Sequence, residues 1–226
     1  MLQKQLKGIL KNDDMMNRRQ MLTNLGLVGG YIAVTPTVLS LLQSCTKEKN
    51  LSWTPEFLSV QEAQVLEILV DKIIPETDTP GAKTLGIPQF IDTYMQQVVA
   101  EEEALMFKKA AGRLLLKLGI ENGKEVADIT EEEFEMLLSE NLKADTVTLE
   151  SYHEALESVQ TPDDFDNLSE EATIFGFISA VRGLTIFGFK NTEAIGENVL
   201  AYLPVPGGQI GCIPVAEATG GKAWSL

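Results

Sequence analysis

The sequence predicts an all-α protein: a single helical-bundle domain of about six helices with a Pro/Gly-rich C-terminal loop segment. Three observations carry this. Apolar residues recur every three or four positions through most of residues 60–200, which is the helical period. Ser/Thr-x-x-Glu pairs stand just ahead of such runs and mark helix N-termini. No strand-rich region, internal repeat or low-complexity tract interrupts them.

The first element opens at Ser59-Val60-Gln61-Glu62, a capping box whose hydroxyl and carboxylate satisfy free backbone amides. Val60, Ala63, Leu66, Leu69, Val70 and Ile73 then share one helical face, and Pro75 stops the helix. Residues 75–88, PETDTPGAKTLGIP, hold three prolines and two glycines and read as a loop. A long helical stretch is expected from Pro88. Phe90, Ile91, Tyr94, Met95 and Val98 form its first stripe. Beyond Glu101-Glu102-Glu103, a second stripe runs Leu105, Phe107, Ala110, Ala111, Leu114, Leu115, Leu118, with Gly119 as C-terminal cap. Thr130-Glu131-Glu132-Glu133 is another capping box, opening a helix with Phe134, Leu137, Leu138 and Leu142 inward. Leu149, Tyr152, Leu156 and Val159 mark one more helix. Residues 161–168, TPDDFDNL, read as an acidic turn. Ser169 caps the next helix, with Ile174, Phe177, Ile178, Val181 and Leu184 inside, and Thr192 caps a short one to about Ala201. Pro204, Pro206, Gly207, Gly208, Gly211 and Pro214 then forbid regular helix. This loop-like tail must lie on a surface, its own or a partner's, because its backbone groups need partners.

Residues 1–44 read as a leader. NRRQML at 17–22 places Arg18 and Arg19 before residues 25–42, which are apolar or small and uncharged. The paired arginine resembles a twin-arginine export signal, a receptor-read address and not an anchor. The order of positive segment, apolar segment, small residue and cysteine is that of a cleaved secretory segment. Leu42-Gln43-Ser44-Cys45 resembles a lipobox, with cleavage before Cys45 and a lipid on its thiol. The alternative is a retained N-terminal transmembrane anchor, since about eighteen apolar residues can span a bilayer. Residues 45–56 then form a lipid-proximal tether, and 57–226 the helical domain.

Of 18 basic and 33 acidic residues, five and two lie in residues 1–44, so the remainder carries 13 and 31, a net charge of −18. Nucleic acid is excluded as a partner by the repulsion from its phosphates. The 182 residues after the leader suffice for one core without disulfides or metals. With Cys45 lipidated, Cys212 has no partner in its own chain, which suggests an intermolecular bridge or a free thiol. The single histidine, His153, excludes multi-histidine metal sites.

Few residues suggest chemistry. Gly207-Gly208-Gln209-Ile210-Gly211 precedes no helix and no Lys-Ser/Thr, so it does not read as a phosphate loop. Asp163, Asp164 and Asp166 lack the glycine a calcium loop requires. His153 sits among Glu150, Glu154 and Glu157 with no nucleophile in a strained turn, and reads as an exposed helix histidine. Asp71, Asp92, Glu76 and Asp78 cluster around the 75–88 loop, where turn and cap chemistry is the plain role. Arg182, in an apolar helix, is expected to pair with a buried carboxylate, Asp71 or Asp92. The chain itself shows no catalytic, cofactor or metal site.

Two stretches resemble the gluconate 2-dehydrogenase subunit 3 family. DKIIPETDTPGAKTLGIPQFIDTYM, residues 71–95, resembles its opening pattern: a helix ending Ile-Ile-Pro, a Thr-Pro-Gly-Ala turn, then a Phe-Ile-Asp helix. GFKNTEAIGENVLAYLPVPGGQIGCIP, residues 188–214, resembles its closing pattern: a Gly-aromatic turn, a capped helix, Tyr, then a Pro-Gly loop. The resemblance implies a small, cofactor-free accessory subunit of an exported dehydrogenase. Its partner would be an FAD-binding large subunit of the glucose-methanol-choline type, acting on a sugar, sugar acid or polyol, with a cytochrome c subunit taking the electrons. The leader would then export a folded, FAD-loaded partner, leaving the complex on the periplasmic side of a membrane with the lipid on Cys45 adding affinity. Cys212 becomes a candidate intersubunit disulfide, and Phe187, Phe189 and Tyr202 candidate interface anchors by residue type. The alternative is a stand-alone periplasmic lipoprotein that binds a ligand or protein.

Overall fold

Ser59 and Glu62 form the capping box: the Ser59 hydroxyl accepts the Glu62 N–H at 3.3 Å, and the Glu62 carboxylate accepts the Ser59 N–H at 2.7 Å. From this cap α1 runs Val60–Ile73. The structure is a computed structural model and describes residues 51–225 apart from 206, 209 and 210. Arg18, Arg19 and Cys45 lie outside the described residues. Further helices are α2 Ile87–Gln97, α3 Glu101–Lys117, α4 Glu131–Leu142, α5 Thr146–Glu157, α6 Pro162–Asp166, α7 Glu170–Lys190, α8 Glu193–Asn198 and α9 Val215–Thr219. Among the described residues these are nine helices, six of them of seven or more residues, with no strand.

The long helix expected from Pro88 is two helices. Val98 ends α2, and Ala100 takes an extended conformation as the N-cap of α3. The three glutamates that follow occupy the first turn of α3, where the positive end of a new helix dipole favours them. Val98 and Leu105, both expected inward, are 65% and 45% exposed: Val98 is the C-cap residue just past the last turn of α2, and Leu105 lies off the face of α3 that buries Ala104, Phe107, Ala111 and Leu114. The acidic turn is also a helix, α6: Thr161 and Asp164 form its capping box and Phe165 is buried.

The 21-residue α7 is the centre of the bundle and packs against α1, α2, α3, α4 and α5. It is long and apolar enough to cross a membrane, but its buried residues, among them Ile174, Phe177, Ile178 and Val181, form the middle of the core. Phe107 of α3 meets Phe177 with ring centroids 4.8 Å apart. The Gly-aromatic element at Gly188 is not a turn. Gly188 lies within α7, where an added Cβ would stand 2.8 Å from the Phe90 ring, so its lack of a side chain lets α2 and α7 touch.

The loop between α1 and α2 is folded on itself. The Ala82 N–H donates to Ile74 O at 2.9 Å, and the Ile87 N–H to Ala82 O at 3.1 Å. Ahead of α1, Leu51 and Trp53, which the sequence places in the tether, pack against the core.

The C-terminal segment closes on itself. The Ala201 N–H donates to Ala223 O at 2.8 Å and the Ser225 N–H to Ala201 O at 2.9 Å. The short α9 forms inside it, after Pro214 at its N-cap, where proline is compatible with a helix start. The prolines and glycines therefore interrupt helix without abolishing it.

Candidate interaction surface

Asp92, the acidic residue of the Phe-Ile-Asp helix, is 1% exposed and forms no ion pair among the described residues. Its carboxylate accepts the N–H groups of Glu56 at 2.7 Å, Phe57 at 3.3 Å and Leu58 at 2.9 Å. The segment leading into α1 is thereby held on α2. Lys108 of α3 completes the clamp by donating to Phe57 O at 2.7 Å and lying over the Phe57 ring.

Arg182 does not pair with Asp92 or Asp71. It is exposed on α7, forms no ion pair among the described residues, and Asp71 is exposed elsewhere on α1. The arginine that ties elements together is Arg113. It donates to Thr173 Oγ1 at 2.5 Å, Leu168 O at 3.3 Å and Asp166 O at 3.0 Å, and its guanidinium lies over the Phe165 ring. Sequence reasoning overlooked it because a helix with Lys108, Lys109 and Arg113 reads as an ordinary charged face. The available signal was its register four residues after Lys109, which bonds Asp166 at 2.6 Å.

The aromatic candidates separate. Phe189 is partly buried and packs against the core. Phe187 is 50% exposed, and its ring stands 6.1 Å from that of Phe90. Phe90 is in turn 5.6 Å from Tyr94. Tyr94 lines a groove of about 410 Å³ between α2, α3, α5 and α7, with Met95, Met106, Phe107, Leu156 and Leu184. Small residues on α3 and α7, Ala110, Gly176 and Ala180, are among its lining. Such residues are read in sequence as helix-packing positions, so the groove leaves no clear signature.

Tyr202 is 49% exposed on the closed C-terminal segment, with exposed Leu203 and Val205 beside it in sequence and exposed Trp224 bridged to the neighbouring Ala201. Cys212 is a free, exposed cysteine on the same segment. His153 is exposed and meets Phe175 edge-on at 4.9 Å. Of the acidic-turn residues, Asp164 belongs to the α6 cap and Asp166 to Lys109 and Arg113. No group of three or more His, Cys, Asp or Glu able to hold a metal ion occurs among the described residues. What this part of the molecule offers is surface: an apolar groove, an exposed aromatic on α7 and an exposed apolar loop.

A family model described as Gluconate 2-dehydrogenase subunit 3 matches residues 60–207. No curated protein and no solved structure matches the chain.

Proposed function

Since the chain belongs to the gluconate 2-dehydrogenase subunit 3 family, we propose that it is the non-catalytic small subunit of a membrane-associated, flavin-dependent dehydrogenase. The observation that carries this is the family match, which covers the whole of the first stretch quoted above and residues 188–207 of the second. In this reading the large, glucose-methanol-choline type subunit binds FAD and oxidises a sugar, sugar acid or polyol. A cytochrome c subunit accepts the electrons. The present chain supplies the export signal at Arg18-Arg19, supports assembly of the large subunit, and is held at the periplasmic side of a membrane by a lipid on Cys45. Exposed apolar side chains on α7 and the C-terminal segment support a role in assembly, since contiguous apolar surface marks interaction sites. Cys212 is available for a disulfide with the large subunit; unchanged complex mass for Cys212→Ser on non-reducing gels excludes that bridge.

Recovery of the tagged chain from detergent-solubilised native membranes tests the reading. The expected eluate is yellow and contains a large flavin oxidoreductase. The apolar groove favours one other reading, a stand-alone periplasmic lipoprotein binding an apolar ligand. That reading predicts a solitary, colourless chain.

A further inference from the structure

We infer that the C-terminal half of α7 is the face on which the flavoprotein subunit docks, presenting an apolar surface with an acidic residue for Arg182. The inference rests on the subunit reading and adds where the partner sits.

The exposed residues there are Arg182, Gly183, Ile186 and Phe187. Their spacing of one, four and five positions puts them on one side of the helix. Ile186 is 37% and Phe187 50% exposed. The apolar surface continues inward, from Phe187 to Phe90 at 6.1 Å, then to Tyr94 at 5.6 Å and the groove that Tyr94 lines. A half-exposed aromatic packed against a second ring suits a central contact of a protein interface.

Charge selects the partner. The chain carries a net charge of −15, yet residues 172–192 hold no Asp or Glu and include Arg182 and Lys190. Neither cation forms an ion pair among the described residues. Lys72, Lys83, Lys109, Arg113 and Lys124 form intramolecular ion pairs, whereas Lys117, Lys143 and Lys222, like these two, form none among the described residues. On its own residues this stretch carries only positive charge in an otherwise acidic chain, although Glu103 lines the groove beyond Tyr94, and Arg182 complements an acidic residue on the partner.

Gly183 adds a steric argument. It lies inside a helix, where glycine is less stable than alanine. An added Cβ would meet nothing within 4 Å, so no contact in this chain requires its absence. Gly112 in α3 is equally unconstrained, but Gly183 lies between Arg182 and Ile186 on the exposed face, where an added Cβ would stand in the proposed contact. A second copy fits poorly, because a two-fold contact would set two copies of this face together, and residues 172–192 offer no carboxylate to meet Arg182. An anionic membrane surface is disfavoured by the overall charge of −15.

The test uses the tagged full chain recovered from native membranes, with flavin recovered per chain as the readout. Arg182→Glu and Phe187→Ser are each expected to lower it about tenfold or more, as loss of an interface anchor does. Gly183→Ala separates docking from folding: it is expected to raise the melting temperature of the purified chain by about 2–4 °C while lowering flavin recovery. Gly112→Ala, in α3, is the control, since an added Cβ there also meets nothing within 4 Å. It is expected to give the same rise with no loss of flavin. Wild-type recovery from Arg182→Glu, Phe187→Ser and Gly183→Ala would overturn the location and leave the subunit reading standing. Loss of self-association, or of binding to anionic vesicles, in Arg182→Glu with flavin recovery intact would assign the face to a second copy or to a membrane. A wild-type chain that recovers no flavoprotein would overturn the subunit reading and this inference together.

Discussion

The Asp92 carboxylate accepts the Leu58 N–H at 2.9 Å across 34 residues of sequence. With the amides of Glu56 and Phe57 it makes Asp92 the cap of a segment it does not adjoin. Removing it strands several backbone donors, at least one of them buried, and each unsatisfied buried donor costs about 1–3 kcal/mol. Asp92→Ala is therefore expected to destabilise the chain by about 3 kcal/mol. Asp92→Asn keeps the shape but turns one acceptor into a donor facing an N–H, and is expected to cost about half as much. Urea denaturation with unchanged slope is the measurement, and a midpoint unaffected in both variants would remove the capping role.

Gly81 of the Thr-Pro-Gly-Ala turn is required by a close approach of backbone. An added Cβ would stand 2.6 Å from Glu76 N and 3.0 Å from Pro75 C, and neither atom can rotate away. Gly86 differs: its φ of +74° demands glycine, but an added Cβ meets only the Gln89 Oε1 at 3.8 Å. Gly81→Ala is expected to cost about 3 kcal/mol, the upper end for overpacking. Gly86→Ala is expected to cost about 1–2 kcal/mol, the left-handed backbone term alone. Equal losses in thermal melts would show that the loop relaxes around residue 81.

Arg113 and Arg182 have opposite roles within the chain. Arg113 bonds two backbone carbonyls and the Thr173 hydroxyl, so Arg113→Ala is expected to destabilise by about 2–3 kcal/mol. Arg182 makes no such contact, and Arg182→Ala is expected to fall within about 0.5 kcal/mol of wild type. A reversed order in denaturation would return Arg182 to the structural role that its place in an apolar helix suggested.

That exchange of arginines shows where sequence reading succeeds and where it stops. The cap at Ser59, the cap at Thr130 and the left-handed Gly119 after α3 were legible because each is a local hydrogen-bonding or dihedral demand. The core face of α7 was legible because burial imposes a helical period. The break at residues 98–100 was not, since both flanking segments are helix formers and only tertiary packing separates them. Asp92 and Arg113 act on partners more than 30 residues away, and no local pattern encodes such a partner. The groove is missed for the same reason: Ala110 and Gly176 lie 66 residues apart and become neighbours only in the fold.

Three caps give the fold an acid limit. The Glu133 carboxyl is held below its ordinary value by the Lys124 ammonium and the Thr130 N–H. Asp145 is held low by the Thr148 hydroxyl and N–H, and Asp164 by the Thr161 hydroxyl with the Gln160 and Thr161 amides. Each folded-state pKa lies below the unfolded one. The stabilisation is therefore present above the ordinary carboxylate value and is lost as pH falls through the folded value. Helices α4, α5 and α6 begin at these three residues or at the threonines bonded to them, so acid should loosen the N-termini of these helices first. The melting temperature is expected to be flat near neutrality and to fall below about pH 4. A chain carrying Glu133→Gln, Asp145→Asn and Asp164→Asn together is expected to start lower and to show a shallower fall. Parallel pH profiles for the two chains would mean that other carboxylates set the acid limit.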